Sequence, residues 1–170
     1  MSLYTLVVIA VFAAVPAAIA AVLVAVIAKS EQPLSRGASL TVVSALGVIG
    51  GVASAAAFLT WEVGFTRYPN GSIEGPYGFW QLVGTALCAA GVCAFATARA
   101  RHIWAGALAA AASTTLAYAL TWAIIASTKD STGLFLVGMI GVMIGGGFAL
   151  SCVATLVALI RSARRPAVPR

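Results

Sequence analysis

The chain has 170 residues, 62% hydrophobic and only 8% charged, with a net charge of +6 and a mean hydropathy of +1.05. A soluble domain carries about 25% charged residues. A chain this poor in charge would show water one large apolar patch, so a water-soluble fold is excluded and lipid is the expected solvent. The basic balance does not indicate nucleic acid, because no basic stripe is interleaved with aromatic residues.

About 20 apolar residues cross a bilayer core, and five runs reach that length without a charge in their interior. The first spans residues 3–28. It has no Lys or Arg and exceeds the apolar core of a signal peptide, about 7–15 residues, although the small residues from Ala17 to Ala21 imitate a cleavage site. Pro16 is expected to kink this helix or loosen one turn. The second run, 39–61, carries Gly47 and Gly51 four residues apart. Such small-residue faces let helix backbones approach closely, which matters where lipid provides no hydrophobic drive for association.

Residues 62–78, EVGFTRYPNGSIEGPYG, form the one sizeable loop. Asn70-Gly71 signals a two-residue hairpin turn, which would set Tyr68 opposite Ile73 and Arg67 opposite Glu74. An irregular compact loop is an equal alternative. Trp61, Phe65, Tyr68, Tyr77, Phe79 and Trp80 flank or occupy the loop and read as an interfacial aromatic belt or as a docking surface. Glu62, Arg67, Tyr68, Glu74, Tyr77 and Trp80 are thus candidates for a partner surface or a pore mouth.

The third run, 79–98, holds Cys88 and Cys93. Five residues apart, they point about 140° away from each other on a helix, which suits neither a disulfide nor a CxxC motif. They are read, with Cys152, as small apolar packing residues. A tight turn, Arg99 to His102, leads into the fourth run, 103–128. Ser113, Thr114, Thr115 and Tyr118 there are expected to bond backbone carbonyls or a neighbouring helix, or else to line a polar pocket. Residues 129–133 form another turn, with Asp130 or Ser131 as a helix cap. The fifth run, 134–160, carries Gly141 and Gly145, continued by Ala149, and a basic tail occupies 161–170.

Orientation follows the distribution of Lys and Arg over short loops. Lys29, Arg36, Arg99, Arg101, Arg161, Arg164, Arg165 and Arg170 fall on one side, against Arg67 and Lys129 on the other, so the N-terminus is expected outside and the C-terminus in the cytoplasm. Three of the four acids, Glu62, Glu74 and Asp130, lie outside. The basic tail should sit against an anionic inner leaflet.

The stretch Gly75-Pro76-Tyr77-Gly78-Phe79-Trp80-Gln81, between an acidic loop and an Ala-rich helix, resembles a pattern in uncharacterised small multi-pass integral membrane proteins of actinobacteria. The 37 alanines and the preference for Arg over Lys fit a GC-rich genome. This resemblance implies a bacterial cell membrane and no known activity. Vitamin K epoxide reductase-like proteins share the helix count but need a CxxC, and claudin-like proteins need a Trp-Gly-Leu-Trp and two loop cysteines. Neither pattern is present.

Coupled transporters keep an ionisable residue inside the membrane; here Glu62 comes nearest, at interface depth. The single histidine, His102, is expected to be a solvated headgroup contact. It cannot join external acids in a catalytic set. No catalytic residue, cofactor site or metal site is expected. The reading is an all-α, five-helix membrane bundle forming one domain. Its function is that of a non-enzymatic accessory or scaffold component, packing with other membrane subunits or itself. The alternative is a small oligomeric transporter or channel for an uncharged or weakly polar solute. A third, lesser option is a lipid-acting enzyme using Glu62, Arg67 and Glu74.

Overall fold

Backbone N–H and C=O groups find no water inside a bilayer, so an apolar run must satisfy them within itself, as a helix. In the computed structural model, which describes residues 3–60, 66–67, 69, 73–74, 77–128 and 134–164, all five runs do so. The helices are α1 (Leu3–Ser30), α2 (Leu40–Leu59), α3 (Phe79–Arg99), α4 (Ile103–Ser127) and α5 (Phe135–Ala163). Each is long and apolar enough to cross a membrane. The shortest, α2, has 20 residues, or about 30 Å, the thickness of a hydrocarbon core. The architecture is an all-α bundle fitting a multi-pass membrane protein. The α1 helix continues through Pro16.

The bundle is built around α4, which packs against each of the other four helices. Its sequence explains this. Ala105, Ala107, Ala109, Ala110, Ala111, Ala117, Ala119 and Ala123 are all buried, and side chains this short let neighbours close in on several sides. By contrast α1 is mostly exposed to the surroundings, with Val7, Val11, Val15, Ile19, Val22 and Val26 all facing outward. It is tied to the bundle through Ile9 and Ala13, which cluster with Ala119, Ala123, Phe135 and Met139.

The end of the bundle rich in arginine is held by polar contacts between distant segments. A helix leaves its first N–H groups and last C=O groups unpaired. Here remote side chains take them. The Glu31 carboxylate accepts from the backbone N–H groups of Ile103, Trp104 and Ala105, those of Trp104 and Ala105 at 3.1–3.2 Å, and so caps the start of α4. The Arg161 guanidinium donates to the Thr97 and Ala100 carbonyls, both at 2.7 Å, and so caps the end of α3 from α5. The α1–α2 linker then lies along the α3–α4 turn. Leu34 N–H donates to Arg101 O (2.9 Å), Ala38 N–H to Arg99 O (2.7 Å), and Arg101 N–H to Ala38 O (3.0 Å). Gly37 makes this approach possible. Its φ is +140°, and a Cβ there would lie 2.9 Å from the Arg101 N and Cα. His102, expected to be solvated, is half-buried at this junction with its Nδ1 enclosed.

At the other end, β1 (Thr66–Arg67) pairs antiparallel with β2 (Ile73–Glu74). The register differs by one residue from that expected of an Asn70-Gly71 turn: Arg67 faces Ile73, and Thr66 faces Glu74. Pro69 supplies the reason. In the expected register residue 69 would close the ladder beside the turn, and proline has no N–H to donate.

Candidate functional site

Of the loop candidates, Glu62 and Tyr68 lie outside the described residues, as do Asp130 and Ser131. Arg67 and Glu74 sit on the paired strands, but not opposite each other. Tyr77 is half-buried, while Trp80 is 80% exposed and stands edge-on to Phe79, with ring centroids 5.6 Å apart. Gln81, which sequence reasoning missed, joins α2 to α3. Its Oε1 accepts from Gly78 N–H (2.8 Å), and its Nε2 donates to Phe58 O (3.0 Å).

The two glycine pairs have different surroundings. Gly47 and Gly51 are buried against α4. A Cβ on Gly47 would collide with the Ser113 hydroxyl, and one on Gly51 would lie 2.5 Å from the Thr114 carbonyl oxygen. Gly141 and Gly145 have open space where a Cβ would stand. Their face of α5, with Ile144, Phe148, Ala149 and Cys152, is exposed.

Two of the four α4 hydroxyl residues, Thr115 and Tyr118, line one groove, while Ser113 and Thr114 face α2. Ser113 donates to the Ala109 carbonyl of its own helix, at 2.6 Å. Thr114, fully buried, faces Gly47 on α2. Thr115 lies on the side towards α5, its methyl 3.6 Å from where a Cβ on Gly147 would stand. The Thr114 and Thr115 hydroxyl oxygens are enclosed without a hydrogen-bond partner. Among the described residues, Tyr118 is the α4 residue that reaches a hydroxyl on another helix, 3.3 Å from Thr85 Oγ1, while Thr85 donates to Ser54 O at 3.0 Å.

Thr85 and Tyr118 stand in the wall of a groove of about 470 Å³ between α3, α4 and α5. Small-molecule sites measure about 300–1,000 Å³. The α3 and α5 helices meet where Cys93 Sγ lies 3.6 Å from the Leu150 carbonyl oxygen. Towards the loop end they are lined by short side chains, Ala86, Ala89 and Ala90 facing Gly146 and Ala149, which leave the space open. No lining residue is charged. Among the described residues no group of three or more His, Cys, Asp or Glu side chains is placed to hold a metal. Comparison of the chain with protein-family models, with curated proteins and with solved structures finds no match.

Proposed function

We propose that this chain is a non-enzymatic component of a bacterial cytoplasmic membrane that packs against another membrane subunit, or a second copy of itself, through the open face of α5. The observation that supports this reading is the space at Gly141 and Gly145, where no atom lies within 4 Å of a built Cβ. Glycine costs about 1 kcal/mol relative to alanine in a helix interior, and close approach of a second helix is what offsets that cost in lipid. The placement in a cytoplasmic membrane rests on the eight-to-two bias of cations between the two ends and on the resemblance of the Gly75–Gln81 stretch.

Cys152 makes the reading testable, because it follows Gly145 by two turns on the same exposed face. With Cys88 replaced by Ser, mild oxidation of membranes should trap Cys152 in a disulfide-linked or crosslinked adduct, and Gly145→Leu should abolish it. A chain that stays monomeric in membranes, with no adduct and no co-purifying membrane protein, overturns the reading. A small transporter or channel is the second reading, favoured by the groove between α3, α4 and α5. Solute flux in liposomes unchanged by Glu62→Gln and Thr115→Val would remove it.

A further inference from the structure

We propose that the groove between α3, α4 and α5 binds an uncharged amphiphile, a long hydrocarbon chain carrying one hydroxyl oxygen, which it takes from the surrounding bilayer. The groove borders the α5 glycine face and shares Ala149 with it, but Thr85 and Tyr118 stand on α3 and α4, away from that face. Four observations lead to it.

The rim is open to the bilayer, since Leu82 and Leu87 are 50% and 68% exposed. The groove is a space that this chain's own side chains leave empty, because its α5 wall is built from Gly146 and Ala149. Its α3 and α5 walls come together where Cys93 Sγ lies 3.6 Å from the Leu150 carbonyl oxygen. Its apolar wall is interrupted by Thr115, whose hydroxyl oxygen is enclosed, and by a pair of hydroxyls that reach each other across helices, Thr85 and Tyr118.

The hydrogen bonding of that pair is incomplete. Thr85 has a single proton, and its 3.0 Å contact with the Ser54 carbonyl uses it. The remaining contact, 3.3 Å between Thr85 and Tyr118, exceeds the 2.5–3.0 Å typical of a good O–H···O bond. The Tyr118 phenol is half-buried, and this long contact is the hydrogen bond it makes. In hydrocarbon a polar group without a full partner is costly, and a ligand oxygen would relieve it. Tyr118 lies nine residues before the end of α4 and Thr85 six residues into α3, so they stand about 14 and 9 Å below the loop-end termini. A phospholipid headgroup stays at the interface, above that depth. With no charge in the lining, an ionised headgroup would be unpaired there. A lone uncharged oxygen on a long chain meets both conditions.

The test uses the full chain in phosphatidylcholine nanodiscs with two photoreactive probes, a diazirine-bearing hexadecanol and the matching hexadecane. Adducts are mapped by mass spectrometry. The alcohol should label the groove segments, 82–90 and 142–153, about fivefold more than the alkane, the factor that one neutral hydrogen bond supplies. Tyr118→Phe should make the two probes equal while leaving the unfolding temperature unchanged. Gly146→Leu, at a position where a Cβ meets no atom within 4 Å, should reduce labelling by both probes. Equal labelling of the wild type by alcohol and alkane overturns the proposal. So does an alcohol excess that survives Tyr118→Phe, or labelling of α1 as strong as that of the groove.

Discussion

The α2 and α5 helices carry the same glycine spacing, four residues, and put it to different use. On α2 the pair is spent inside the chain: Gly51 lies so close to α4 that a Cβ would meet a backbone oxygen at 2.5 Å. On α5 the pair faces outward, with nothing against it. A small-residue face therefore marks where a helix can be approached, but the approaching helix is set by the rest of the bundle. The α2 face is taken because α4, lined with alanines, is the helix every other one packs on. The α5 face lies on the far side from α4, so no helix among the described residues can reach it.

The largest effect that sharpens this comparison is expected at Gly51. Overpacking a well-filled interior costs about 1–3 kcal/mol, and the atom in the way is a main-chain carbonyl that cannot rotate aside. Gly51→Leu should lower the unfolding temperature in detergent more than any other single change considered, and Gly51→Ala should be harsher than Gly47→Ala, whose neighbour is the movable Ser113 hydroxyl. A Gly51→Leu protein as stable as wild type would break the comparison at its root.

Next come the residues that deliver α2 to α4. Gly37→Ala forces a side chain onto a φ of +140°, a strain of order 1–3 kcal/mol. It also crowds Arg101. Glu31→Ala strips the start of α4 of its acceptor and should cost about 0.5–2 kcal/mol, the range for a lost helix cap. Both are read by thermal unfolding of purified protein, and Glu31→Asp, too short to span to all three N–H groups, should fall between wild type and Glu31→Ala. The smallest effect on stability belongs to α5. Gly145→Leu should leave unfolding within about 0.5 kcal/mol, as surface changes do. A destabilisation as large as that of Gly51→Leu would mean that the α5 face is filled within the chain.

The five crossings were legible because hydropathy alone decides them: each run is apolar and free of internal charge. Which helix lies at the centre was written less plainly. The most apolar helix, α1, is the most exposed, and the least apolar, α4, is the most buried. In lipid the usual inference is inverted, since bulky apolar residues cover the outside and alanine fills the core. The glycine pairs were visible as a pattern, but their neighbours depend on rotation about the helix axis, which spacing does not fix. The caps at the arginine end were not legible from local signals. Glu31 and Arg161 act on segments more than 60 residues away, and capping rules look only one turn along the chain. One hint existed: Glu31 is the single acid left at the basic end once the other three are assigned outside. Pro69, with no N–H to donate, is the sequence feature that argues against the register of an Asn70-Gly71 turn.

Everything rests on each helix crossing the membrane, α3 in particular, which sets the arginine-rich junction and residues 62–78 on opposite sides of it. The direct measurement is labelling of single-cysteine variants of an otherwise cysteine-free chain in intact cells with a membrane-impermeant maleimide. Pro69→Cys should be labelled at once, and Arg101→Cys only after the cells are permeabilised. Labelling of both from outside, or of Arg101→Cys alone, would contradict the topology on which the packing and the groove have been placed.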